Sequence, residues 1–126
     1  MPRKHTSEQT AKFLARMDSG KDYEKVVKSF LIENEVPFRA QLKYKTSYGN
    51  YMADFVLEDG TIVETTEGDL EKCENHPFIA RKLLKLKELI HAGFQLVIVT
   101  PNVESWSKRL NCRVITDAQF LNENKK

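Results

Sequence analysis

The sequence predicts an α/β sandwich, a mixed β-sheet flanked by helices. Three observations carry this. Apolar and polar residues alternate from Phe38 to Lys45, an Asp59-Gly60 pair separates two strand-like runs, and a helical stripe from Ile79 to Ile90 leads into the apolar run Phe94 to Thr100. A helix between two strand patterns is how a strand is carried over to pair in parallel, whereas an Asp-Gly pair closes an antiparallel hairpin.

Taken in order, the first helix is expected from Ser7 to Met17 under a Thr6 or Ser7 cap, and Asp18-Ser19-Gly20 breaks it. A second follows to about Glu35, with Tyr23, Val26, Val27, Phe30 and Leu31 at helical spacing before Pro37. Phe38, Ala40, Leu42 and Tyr44 face one way on a half-exposed strand, with Arg39, Gln41, Lys43 and Lys45 on its back. After a turn at Thr46 to Asn50, the strands Tyr51 to Leu57 and Thr61 to Thr66 form a hairpin. A polar acidic loop precedes Asn75-His76-Pro77, which opens a long helix with proline in its first turn and Gly93 as its stop. Phe94 to Thr100 reads as a buried strand, Ser105 to Leu110 as a short amphipathic helix containing Trp106 as a packing residue, and Arg113 to Thr116 as a last strand. Asp117 is expected to cap a final helical turn.

With 126 residues the chain is about one domain, and 40% apolar with 30% charged residues is the balance of a folded globular protein. No apolar run approaches the roughly 20 residues that span a bilayer, and no secretory signal follows Met1, so no membrane and a cytoplasmic location are expected. Cys73 and Cys112 are then expected as reduced thiols; Cys73 and His76 have a zinc-site spacing, but no second ligand pair follows. Charge is unevenly placed. From Asp54 to Glu74 there are eight acidic residues and one lysine, between basic flanks with ten basic against six acidic residues before Tyr51 and nine against four from Arg81 onward. An acidic middle in a basic frame suits a cation site within a surface that attracts phosphate, or a solvated surface with chance clustering.

The hairpin holds the chemistry. Asp54 and Glu64 each interrupt a run that otherwise reads as core strand, and a buried charge is costly unless it is paired or metal-bound. Folding at Asp59-Gly60 brings the two strands together, so both carboxylates could converge on a hard cation such as magnesium. Alternation puts Ile62, Glu64 and Thr66 on one face. Alternatively, both acids lie on the outer face of an edge hairpin and bind nothing.

These residues resemble the PD-(D/E)XK nuclease superfamily, whose restriction-endonuclease-like core has a helix with an acid, strands carrying Asp and then Glu-X-Lys, a helix and a buried strand. Glu24 in Tyr23-Glu24-Lys25-Val26, Asp54 in Ala53-Asp54 and Glu64 in Glu64-Thr65-Thr66 stand in that order, and the run from Asp54 to Glu64 is most similar to small phage junction-resolving endonucleases, with homing and restriction-type enzymes as other relatives. The resemblance spans about residues 19–100 and implies a single nuclease-like domain over 1–126. It implies a metal-dependent DNA endonuclease acting on double-stranded DNA, branched or at specific sites, as a homodimer. Magnesium, with manganese as substitute, would be held by Asp54, Glu64 and the Thr65 carbonyl. Glu24 would assist the metal or, as an ordinary helix glutamate, pair with Lys28. Lys43, Lys45, Lys82 and Lys85 are candidates for phosphate contacts, or surface lysines.

Two positions depart from the pattern. Ala53 stands where proline is usual, and Thr66 stands where the family's lysine positions and polarises the attacking water. A threonine hydroxyl holds a water but supplies no positive charge. Either the chain binds DNA and metal with reduced or lost catalysis, or another base such as Lys82 replaces the lysine, or Thr66 is a substitution made to trap a complex. An α/β protein–protein interaction domain with incidental surface carboxylates is the remaining reading.

Overall fold

The structure, a computed structural model, describes residues 24–73 and 75–124. The helix expected from Ser7 to Met17 lies outside them. The described elements are α1 (24–33), β1 (Phe38–Thr46), β2 (Gly49–Leu57), β3 (Ile62–Thr65), α2 (Leu70–Cys73), α3 (Pro77–His91), β4 (Leu96–Val99), α4 (Val103–Ser107), β5 (Arg113–Ile115) and α5 (Asp117–Glu123). The five strands form one mixed sheet in the order β1-β2-β3-β4-β5, antiparallel through β1, β2 and β3 and parallel through β3, β4 and β5. The α/β fold with a helix-flanked mixed sheet is as expected. The change of direction follows from the connections, tight turns in the first half and helical crossovers in the second.

Each face of the sheet buries its own apolar layer. On one, Tyr51, Ala53, Val56, Ile62, Leu96 and Ile98 meet Leu83, Leu86 and Leu89 of α3 and Trp106 of α4. On the other, Phe55, Val63 and Val99 meet Val27 and Leu31 of α1 and Phe120 of α5. Spacing decides these contacts: Val27 and Leu31, four apart and fully buried, form the inner stripe of α1. Val26, expected in that stripe, is instead about half exposed, which leaves the stripe narrower than the sequence pattern suggested.

The sheet's alternation breaks at one level. Phe38 packs in the layer of α1, yet Leu42 and Tyr44 pack in the layer of α3, although strict alternation would keep all three on one face. On β2, Tyr51 and Ala53 face α3, whereas Phe55 and Leu57 face α1. Both reversals occur at the same rung, because the ladder passes from Ala40–Phe55 to Leu42–Ala53 and skips Gln41 and Asp54. Gln41 has φ 59°, a left-handed conformation that disrupts the extended period. The expected one-faced pattern from Phe38 to Tyr44 therefore fails at Gln41.

Other boundaries differ for local reasons. Leu70–Cys73 forms α2 where a loop was expected, because buried Leu70 anchors it and Ser105 Oγ accepts from the Leu70 N–H. Helix α4 starts at Val103 and not Ser105, and α5 is capped by the Thr116 hydroxyl, which accepts from the Gln119 N–H, with Asp117 inside the helix. Strand β4 begins at Leu96, since Gly93 at φ 98° and Phe94 belong to the closure of α3, where the Phe94 N–H returns to the Leu89 carbonyl. At the start of α3, His76 Nδ1 accepts from the Phe78 N–H and Pro77 occupies the first turn.

Helix α3 is also fastened to the turn between β1 and β2. Glu88 accepts from the Ser47 N–H with both oxygens, Lys85 donates to the Asn50 carbonyl at 2.8 Å, and Arg81 donates to the Tyr48 carbonyl. This fixes the rotation of α3 about its axis, which decides where its remaining side chains point.

Candidate active site

Asp54 sits at the rung where both strands reverse face. Its Oδ2 accepts from the backbone N–H and from the hydroxyl of Thr65, each at 2.8 Å, which ties β2 to the end of β3. Asp54 also shares a hydrogen bond with Glu24 of α1. Two carboxyl groups in contact must hold a proton between them or repel. Accordingly, burial and then the charge and hydrogen bond of Asp54 raise the Glu24 carboxyl above its ordinary value, Glu64 adds to this, and Lys28 opposes it.

Glu64 approaches from the other face. It is 3% exposed, the Tyr51 hydroxyl donates to its Oε1, and the Lys82 ammonium forms an ion pair with its Oε2. Burial raises the Glu64 carboxyl; Lys82 opposes this and Asp54 reinforces it. Burial alone would lower the Lys82 ammonium, but Glu64 and Asp54 outweigh it and hold the group above the ordinary lysine value. The same environment pushes the Tyr51 hydroxyl far above its usual range, burial first and then Glu64, so it is a donor throughout neutral conditions.

Lys82 reaches this position because it flanks the buried stripe of α3, one residue before Leu83, with its side chain 27% exposed. Its aliphatic stem runs along the apolar layer and delivers the charged end to the carboxylate. Thr66, by contrast, accepts from the Gly68 N–H at 3.3 Å, and its own N–H donates to the Val99 carbonyl, so it shapes the loop after β3.

The four lysines considered for phosphate do not share one surface. Lys82 and Lys85 lie on α3, Lys82 on Glu64 and Lys85 on the Asn50 carbonyl. Lys43 and Lys45 are exposed on β1, alternating with the inward-packed Leu42 and Tyr44, and so point to the sheet's opposite face. Cys73 donates to the Asp69 carbonyl and His76 caps α3, which accounts for a pair with zinc-like spacing. Trp106 is buried, with Nε1 donating to the Gly68 carbonyl.

Sequence reasoning missed Tyr51. Its signal was its place two residues before Ala53 on an inward-facing run, where a tyrosine hydroxyl needs a buried partner. A cleft of about 550 Å³ opens beside Tyr51 and Lys82, walled by Met52 on β2 and by Phe78 and Arg81 on α3. Another, of about 480 Å³, lies at the opposite ends of β4 and β5, between Leu96, Arg113 and Glu123, away from these acids.

Among the described residues, no three His, Cys, Asp or Glu side chains are arranged to hold a metal ion, and no helix is long and apolar enough to cross a membrane. The chain shows no match to protein-family models, to curated proteins or to solved structures.

Proposed function

We propose that this chain is a metal-dependent DNA endonuclease with a PD-(D/E)XK-type core, in which Lys82 supplies the positive charge missing at Thr66. The observation that carries the reading is the ion pair between Lys82 and buried Glu64, with Asp54 and Glu24 alongside. A basic group has reached the acidic pair from a helix where the strand offers only a hydroxyl.

The donor set suits a divalent cation. Glu24 and Asp54 stand beside one another, and a cation between them would relieve the repulsion of two carboxylates. Asp54 and Glu64, with the Thr65 carbonyl, would hold magnesium or manganese, and magnesium commonly binds through one or two carboxylates and retains waters. When bound, such an ion lowers the pKa of water and offsets charge that develops on the phosphate. Thr65 fixes Asp54 through two hydrogen bonds, and Tyr51 fixes Glu64 through one. Lys82 orients a water and shields the phosphate as charge builds. Double-stranded or branched DNA is the proposed substrate, and a homodimer the proposed working unit.

Incubation with linear, supercoiled and branched DNA, in magnesium, manganese or chelator, tests the proposal. Cleavage that needs the cation and is abolished by Asp54→Asn, Glu64→Gln and Lys82→Met supports it. Absence of cleavage and binding by both the wild-type chain and Thr66→Lys ends it. A DNA-binding module with reduced catalysis is the second reading, favoured by Thr66, whose hydroxyl accepts from the Gly68 N–H where the family's lysine would stand. DNA binding without cutting, with cleavage gained in Thr66→Lys, selects that alternative.

A further inference from the structure

The cleft beside Lys82 has a floor and a rim of different chemistry. Its floor is Tyr51 and Lys82, both bonded to Glu64. Its rim carries Phe78, 77% exposed, and Met52, 44% exposed. Large apolar groups this open are costly to leave in water and mark contact surfaces when they gather. Phe78 is also held in place: it occupies the first turn of α3, its N–H is capped by His76, and Pro77 precedes it. Its backbone is thus ordered before any ligand arrives.

Charge decides what the ligand is. Arg81, Lys82 and Lys85 line the cleft, and no carboxylate does among the described residues. Arg81 and Lys82 lie three and four residues after Phe78, on the same flank of the helix. Arg81 and Lys85 each spend a donor on a backbone carbonyl, yet a guanidinium has five N–H groups and an ammonium three, so both retain donors for a phosphate. An aromatic face beside fixed cations matches a base with its phosphates. A protein segment would need acidic residues to meet the cations as well as an apolar anchor. A paired base has both faces covered by its stacked neighbours, so an unpaired base is the better fit. The volume of about 550 Å³ falls within the roughly 300–1,000 Å³ of sites for ligands of that size.

We propose that this cleft receives an unpaired DNA nucleotide, its base stacked on Phe78 and its flanking phosphates held by Arg81 and Lys85. The inference rests on the endonuclease reading and names the DNA feature recognised next to the acidic pair.

The test compares a fully paired duplex with the same duplex carrying a short single-stranded overhang, measured by fluorescence anisotropy in chelator. A 2-aminopurine in the overhang reports stacking. The expected result is preference for the overhang and quenching of 2-aminopurine on binding. Phe78→Ala should weaken overhang binding about 5- to 100-fold and remove the quenching, with duplex binding unchanged, and Phe78→Trp should restore both. Because Phe78 is exposed, neither variant threatens the fold. If Phe78→Ala binds the overhang as tightly as the wild type, or loses both DNAs equally, the inference is overturned and the endonuclease reading stands. If Phe78→Ala instead converts a dimer to monomers in light scattering without a selective loss of overhang binding, the surface joins two copies and the inference is wrong. If the wild type binds no DNA at all, both readings fall together.

Discussion

The two halves of the sheet obey different rules. In the parallel half, Leu96 and Ile98 face α3 while Val97 and Val99 face α1, in unbroken alternation, and β3, β4 and β5 pair in continuous register. In the antiparallel half, both strands reverse face at Gln41 and Asp54, and the interior takes in Asp54, Glu64 and Lys82. The regular half is a packed platform. The irregular half spends regularity to place a carboxylate where neither face of an ordinary strand would hold it. Strand β3 belongs to both, and it presents Glu64 on one side and Thr65 on the other. The charged groups thus concentrate where the period breaks, beside a regularly packed support.

The largest effect should come from breaking the platform. Ile98→Ala empties a fully buried position and is expected to cost about 2–5 kcal/mol in urea unfolding. Next is the irregular half: Lys82→Met strands Glu64, and a loss of about 1–3 kcal/mol is expected by the same measurement. Under the proposed endonuclease reading, a cleavage decrease of roughly 100- to 10,000-fold should accompany it in single-turnover assays. Ile98→Ala, assayed under conditions where it remains folded, should retain cleavage, and equal damage to activity by both variants would show that the halves are not separable. A smaller change is expected at the reversal itself. Gln41→Val places a β-branched residue at φ 59° and should cost about 1–2 kcal/mol, whereas Gln41→Gly should be neutral or slightly stabilising. If Val is tolerated as well as Gly, the left-handed backbone at Gln41 is not what turns the strand.

The smallest effect is a dependence on pH. Because burial raises the Glu64 and Glu24 carboxyls, the folded chain holds their protons more tightly than the unfolded chain does. Stability contributed by these groups is therefore present below their ordinary value of 4.5 and is lost as pH rises through their raised folded values. Thermal melts in chelator should show this fall, and Glu64→Gln should flatten it. An unchanged slope in the variant would remove Glu64 from the account. Magnesium should restore stability at the upper end of the window if it binds these acids.

Much of the fold was legible because it depends on short-range signals. Asp59-Gly60 gave the hairpin, with Gly60 at φ 93°; His76-Pro77 and Gly93 gave the two ends of α3. The reversal was not legible, since Gln41 carries no sequence mark of a left-handed residue. Helix α2 was hidden for a similar reason, as its anchor is Ser105, 35 residues away. In the site, Asp54 and Glu64 stood out as charges within apolar runs, and Lys82 was reachable from its place beside the stripe of α3. Tyr51 was overlooked because tyrosine is an ordinary strand residue, and only the fold reveals that its hydroxyl meets Glu64. Lys43 and Lys45 were grouped with Lys82 and Lys85 by charge alone, and the two faces of the sheet separate them.

The fastening of α3 to the β1–β2 turn uses backbone atoms at its far end: the N–H of Ser47 and the carbonyls of Tyr48 and Asn50. Such contacts do not depend on which side chains those three positions carry. Residues 47, 48 and 50 can therefore drift over generations while the helix keeps its orientation. Arg81, Lys85 and Glu88 lack that freedom, and so does Gly49, whose φ of 115° residues with a side chain rarely adopt. The aim of Lys82 is inherited through a helix face and one glycine, with the rest of the turn left open to change.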